Sequence, residues 1–109
     1  MSRIQWIRTA FWQGKPKPGM EQQWRHAILT ELLPAFRAIP GVHDAKACWP
    51  DKLEDSPPEV ACQFIVEFSS RADLDRMLAS PERAAVRANV KKAVALFEGH
   101  ISHIEYRVD

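Results

Sequence analysis

The stretch Val60 to Phe68, Val-Ala-Cys-Gln-Phe-Ile-Val-Glu-Phe, constrains the fold of this chain more than any other. Its alternate residues Val60, Cys62, Phe64, Val66 and Phe68 make one unbroken apolar row, while Ala61, Gln63, Ile65 and Glu67 make a mixed one. Successive side chains of a strand point to opposite sides, so the pattern is that of a β-strand with one side buried and the other partly covered. Such a strand cannot stand alone; other strands must pair with it and a second layer must cover its apolar row. The 109 residues leave room for one domain, residues 1–109, and 46% hydrophobic against 27% charged residues is a folded rather than a disordered balance.

The remaining segments supply those partners. Arg3 to Trp12 is rich in β-branched and aromatic residues, with apolar groups on both parities (Ile4 and Trp6, then Ile7 and Phe11), which predicts a central strand. Gly14-Lys15-Pro16-Lys17-Pro18-Gly19 reads as a rigid connector. From Met20 the period becomes helical: Trp24, Ile28, Leu32 and Phe36 recur at i+4, with Leu29, Leu33 and Ile39 widening the stripe. Pro34 is expected to kink or end this helix, and Pro40-Gly41 to stop it. Val42 to Trp49 is a weaker strand, and Pro50 to Glu59 a polar, proline-rich loop. Ser70 with Asp73 forms a capping box, and Ser80-Pro81-Glu82 a second helix start, giving helical pieces over 71–79 and 81–97. Val86, Val90, Val94 and Phe97 are expected to line one face of the longer piece. After Gly99, His100 to Asp109 alternates Ile104, Tyr106 and Val108 against His103, Glu105 and Arg107 as a last strand.

Strand, helix, strand, strand, helix, strand is the βαββαβ order of an α+β, ferredoxin-like fold. Right-handed crossovers put both helical regions on one face of a four-stranded antiparallel sheet. The other face still carries Ile65 and large aromatics of the first strand, in a chain with four tryptophans, so something must cover it. A homodimer formed by a second copy packing face to face is the expected cover. Lys plus Arg is 15 and Asp plus Glu 14, which speaks against a nucleic-acid partner. Cys62-Gln63-Phe64-Ile65-Val66-Glu67-Phe68 also lacks the glycines of the RNA-recognition signature. The sequence shows no membrane span and no apolar leader, and Cys48 and Cys62 form neither a disulfide framework nor a zinc spacing, so a reducing, cytoplasmic setting is expected.

The element order, the segment Leu33-Pro34-Ala35-Phe36-Arg37-Ala38-Ile39-Pro40-Gly41-Val42 and the segment Ser80-Pro81-Glu82-Arg83-Ala84-Ala85-Val86 together resemble the dimeric α+β barrel superfamily. Within it the chain is most similar to EthD-type proteins. The resemblance implies a pocket in each subunit between sheet and helices, used for small hydrophobic, often aromatic or polyketide-like molecules. Related groups include cofactor-free monooxygenases, cyclases, isomerases and haem-degrading enzymes. Where the stress-responsive barrels of this group tend to carry His-Pro-x-His, this chain has Ser80-Pro81-Glu82-Arg83, and 71–97 holds no histidine to ligate haem. The implied chemistry is therefore one without bound metal, flavin or haem.

Imidazole is the natural acid–base group near neutral pH, which makes the four histidines the first candidates. His26 sits at the margin of the first helix's apolar stripe or in solvent. His43 and His100 read as surface residues. His103 shares its strand face with Glu105 and Arg107; if Gln63 and Glu67 line that same face, the group serves either a dimer-interface network or acid–base work. His100 and His103 point to opposite faces and cannot chelate one ion. Arg83, Arg87 and Lys91 recur at i+4 and read as a solvated outer face. The expected site is thus an apolar pocket shaped by Trp6, Trp24, Trp49 and Phe64, with His26 or His103 moving protons and Arg8 holding a developing anion. The alternative from another class is a dimer of the same fold that binds a ligand or a partner and does no chemistry.

Overall fold

A computed structural model describes residues 3–109. The elements are β1 (Trp6–Pro16), α1 (Glu21–Ala27), a π-helical turn (Ile28–Leu32), α2 (Leu33–Arg37), β2 (Asp44–Cys48), β3 (Val60–Phe68), α3 (Arg71–Ala79), α4 (Pro81–Ala95) and β4 (Phe97–Arg107). The four strands form one sheet in the order β2-β3-β1-β4, with every neighbouring pair antiparallel. The helices cover one face of this ferredoxin-like sheet.

Register decides which side chains meet the helices. Trp6, Arg8, Ala10 and Trp12 of β1 lie opposite Phe68, Val66, Phe64 and Cys62 of β3, the apolar row that the sequence marks as buried. Cys62 and Phe68 are fully enclosed, and Phe64 and Val66 nearly so. On the other edge of β1 the same residues face Arg107, Glu105, His103 and Ile101 of β4. The polar row of β4 is therefore the one beneath the helices. The apolar Ile104 and Tyr106 lie on the open face, 45% and 42% exposed. Gln63 and Glu67 belong to that open face, so His103 does not share a side with them, contrary to the condition attached to it above. One residue of the Val60–Phe68 row changes sides: the register shifts between Trp12 and Gln13, placing Val60 opposite Gln13 at a bulge.

An aromatic knot pins the first helical region to the sheet. Trp12 and Trp24 meet edge to face at 5.7 Å, Phe97 stacks on Trp24 at 5.2 Å, and Trp49 closes on Trp24 from the loop side at 5.6 Å. Phe97 joins this knot as the first residue of β4, since α4 ends at Ala95. Accordingly α4 buries Val86 and Ala93, and Val94 is 43% exposed. Proline 34 neither ends nor sharply breaks the first helical region. The ladder widens just before it, with the Leu33 amide donating to the Ile28 carbonyl, five residues back. A π-turn gives room where a proline ring would crowd the carbonyl of the preceding turn. It also leaves Leu29 43% exposed, outside the stripe.

The stretch after Trp12 is strand rather than connector, because Gly14 faces Gly99 across β1 and β4. A Cβ on Gly14 would lie 2.1 Å from the Glu98 carbonyl oxygen, and one on Gly99 would lie 1.9 Å from that of Gln13. Two glycines with φ of +129° and +142° let the backbones approach and carry the pairing on to Pro16 and Phe97. The second helical region starts as the sequence predicts. The Ser70 hydroxyl accepts from the Asp73 amide and the Ser80 hydroxyl from the Arg83 amide. Asp73 does not complete a reciprocal box; its carboxylate takes the Arg76 guanidinium instead.

The glycine pair and the caps give two expectations for denaturant unfolding. Gly99→Ala should lose at least about 2 kcal/mol, since backbone strain alone runs to about 1–3 kcal/mol and a clash adds to it. Gly19→Ala, whose Cβ would meet nothing within 4 Å, should lose only about 1 kcal/mol for its positive φ. Equal losses would show that the close approach is not what these glycines secure. Ser80→Ala should cost about 1 kcal/mol through the lost cap on α4.

Candidate functional site

A cavity of about 490 Å³ lies between the helices and the middle of the sheet. Its position follows from side-chain size along β1. Trp12 fills one end of the helix-facing surface, and at the other Arg8 is tied to Glu105. Between them stands Ala10, flanked by Phe64 on β3 and His103 on β4. A methyl group cannot fill the space beneath α4, and the gap opens there. The floor is apolar, made chiefly by Trp12, Phe64 and Ile101, and Leu32 from the π-turn, Phe36 and Met77 add to the walls.

One face of α4 forms the far wall. Arg83, Val86, Arg87, Val90 and Lys91 all line the cavity, the spacing i, i+3, i+4, i+7, i+8 that brings residues onto one side of a helix. The valines meet the apolar interior and the cations stand beside them. Arg87, Lys91 and His103 are exposed, which places the mouth at their side, while Arg83 is half-buried. Arg87 and Lys91 are solvated as expected, and the i+4 repeat of Arg83, Arg87 and Lys91 is also the rim of the cavity.

The charges at this rim are unequally matched. Arg8 Nη1 donates to Glu105 Oε2 at 2.8 Å, and the same carboxylate takes Arg71 Nη1 at 2.8 Å. Arg71 in turn lies over the ring of Trp6, 5.3 Å from its centroid. Among the described residues, no carboxylate lies within ion-pairing distance of Arg83, Arg87 or Lys91, and none lines the cavity. Partial burial, then the neighbouring cations Arg87 and Arg8, push the Arg83 pKa down from its ordinary value. The His103 side chain reaches solvent at the mouth but is desolvated on its cavity side; this, followed by Arg8 and Arg83, lowers its pKa from the ordinary value, against a smaller opposing pull from Glu105. The shift favours the neutral imidazole, the form able to accept a proton.

The cavity brings together Arg8, Phe64 and His103 of the residues singled out in the sequence. His26 lies on the exposed side of α1 by a separate shallow groove with Gln22 and Lys92. Trp24 is 2% exposed inside the aromatic knot, with its indole Nε1 unpartnered. Trp6 sits under Arg71 beyond Arg8. Trp49 packs on Trp24, carries Arg25 over its ring at 4.5 Å, and helps line a second hollow of about 500 Å³ on the open sheet face. Cys62 is enclosed in the core and burial pushes its thiol up to about 12, which leaves it un-ionised near neutrality. Cys48 is free and exposed at the end of β2. Among the described residues no three His, Cys, Asp or Glu side chains converge as a metal site, and no helix is long and apolar enough to cross a membrane.

No protein-family model matches the sequence, and no curated protein matches it either. Solved structures do. An EthD-family protein from Bacillus halodurans superposes with a TM-score of 0.70 at 13% identity, over 98% of this chain and 100% of that one. A monooxygenase of Streptomyces coelicolor, solved in complex with the ligand nanaomycin D, gives 0.65 at 13% identity over 97% and 88%. A dimeric ferredoxin-like protein of unknown function from Jannaschia gives 0.65 at 18% identity over 94% and 99%. At these identities the likeness is one of fold. The chain has a ferredoxin-like fold, the fold named for the Jannaschia protein it superposes on.

Proposed function

We propose that this protein is a small homodimeric enzyme that acts without a bound cofactor on a hydrophobic or aromatic molecule held between sheet and helices. The observation that carries this reading is His103 set beside Arg8 and Arg83 at the mouth of a cavity with an apolar floor. Monooxygenase-, cyclase- and isomerase-type reactions on phenols and enolisable ketones share a first step, loss of a proton to give a delocalised anion. In this reading His103 takes that proton, and the adjacent guanidinium groups stabilise the negative charge that develops on oxygen. The fold likeness to a monooxygenase solved in complex with the ligand nanaomycin D supports the choice of a small-molecule substrate. His26, Trp6, Trp24 and Trp49 play no direct part in this scheme.

The homodimer is proposed on the open sheet face. Ile104 and Tyr106 are exposed there, beside Ile7, Phe11 and Ile65 of the neighbouring strands. Such a patch is stable when a second copy buries it, and the likeness to a dimeric ferredoxin-like protein supports that occupant.

Two measurements test these readings. A panel of polycyclic phenols and quinols, incubated aerobically and followed by liquid chromatography, should yield at least one substrate. His103→Gln should lower its kcat by roughly 100-fold or more while leaving binding in place. Because the free base is the active form, kcat/KM should fall on acidification through a pKa below 6.5, and this limb should vanish in His103→Gln. Undiminished turnover in the variant would remove His103 from the chemistry; binding throughout the panel without turnover would favour the non-catalytic dimer. Native mass spectrometry should show a species of twice 12.5 kDa, and Ile104→Lys should shift it to monomer. A wild-type monomer at micromolar concentration would overturn the dimer.

A further inference from the structure

We infer that the ligand of the helix–sheet cavity is an amphiphilic anion, an apolar body that enters the cavity with a carboxylate left at the mouth between Arg83, Arg87 and Lys91. This inference rests on the reading of the cavity as a small-molecule site and names the chemical class that site takes.

Three features of the rim support it. First, the cations are concentrated there rather than inherited from general basicity, because the chain as a whole carries a formal charge of only +1. Second, Arg83, Arg87 and Lys91 stand one helical turn apart on the same face of α4, a like-charged arrangement that weakens a helix. Several cations that sit against other strands and helices are answered by carboxylates. Glu105 answers Arg8 and Arg71, Asp44 answers Arg37, and Glu67 answers Lys46. The three cations of α4 that line the cavity have no such partner among the described residues, and packing does not require them to be cationic at an exposed rim. Third, the half-buried Arg83 already has its charged form disfavoured by burial and by its neighbours. A carboxylate arriving there relieves the repulsion and meets a planar donor fork suited to it.

The walls fix the rest of the ligand. The lining at the floor, Trp12, Phe64 and Ile101, with Val86 on the wall above, is predominantly apolar, so the buried part is apolar, and aromatic faces favour a flat one. A volume of about 490 Å³ is in the range that encloses most of a drug-sized molecule. The valines and cations of α4 alternate along one face, so body and head group are read by the same helix, apolar contact inward and charge at the opening. Arg8 is already paired with Glu105, which leaves Arg83, Arg87 and Lys91 as the cations open to the carboxylate.

The test uses a matched pair, 2-naphthoate and its neutral methyl ester, titrated into the intact protein by calorimetry or ligand-observed NMR. The anion should bind roughly tenfold more tightly than the ester or better, as a charge-assisted contact in a partly dry site implies. Arg83→Gln should erase most of that preference while ester binding stays the same, and raising the salt concentration should act in the same direction. The substitution keeps the Arg83 backbone amide that Ser80 caps, so α4 should remain intact. The exposed double variant Arg87→Gln with Lys91→Gln provides a second reading if the first perturbs folding. Ester binding equal to or tighter than naphthoate binding would overturn the inference and leave the cavity a ligand site. Equal weakening of both probes by Arg83→Gln would do the same. Failure of both probes to bind would overturn the reading of the cavity itself.

Discussion

The spacing of large and small side chains along the helix-facing side of β1 governs what this molecule can do. Trp12, locked against Trp24 and Phe97, holds the first helical region down at one end of the sheet. At the other end Glu105 draws in Arg8 from β1 and Arg71 from α3, fastening the second helical region to the sheet. Ala10 lies between these two fastenings. With the first helical region fastened at one end of the sheet and α3 at the other, the helical layer spans a methyl group between them, and close packing there is not met without a side chain to meet it. The cavity is therefore a consequence of the two anchors, and its lining is whatever β3, β4 and α4 present at that level.

That dependence links stability to the site. The glycine contact of Gly14 and Gly99 extends β1 and β4 until Phe97 reaches the aromatic knot. Loss of this pairing would free the end of α4 as well as the strand ends, because Phe97 follows the helix after a single residue. The widened turn at Ile28–Leu32 has a similar double role. It resolves the conflict that Pro34 creates inside a helix and presents Leu32 to the cavity wall.

Much of the architecture was legible in the sequence because it rests on local rules. The alternation of Val60–Phe68, the serine caps at Ser70 and Ser80, and the order of elements each follow from period and cap chemistry, and the sheet obeys them. The side of β1 that faces the helices was not legible, because both parities are apolar; only pairing with β3 and β4 settles it. The polar row of β4 lies beneath the helices and its apolar row outside, the reverse of the pattern in β3. No periodicity reports such a reversal. The extension of β1 through a Gly-Lys-Pro stretch was hidden for the same reason, since it requires a second glycine far along the chain.

The cavity rim shows how a nonlocal fact changes the meaning of a local one. Arg83, Arg87 and Lys91 form a ladder that any single-helix argument assigns to solvent, because like charges spread best where water screens them. What changes the assignment is the alanine at position 10, on a strand that is sequence-distant from α4. With a larger residue there, α4 would pack onto the sheet and its cations would only border it. With Ala10, the valines between the cations face an opening rather than a floor, and the charges stand where a ligand must pass. His103 belongs to the same logic: its ring looks into the gap because β1 and β4 pair Ala10 with it directly. A site of this kind is assembled by subtraction, and its residues become functional candidates through the side chain that is missing between them.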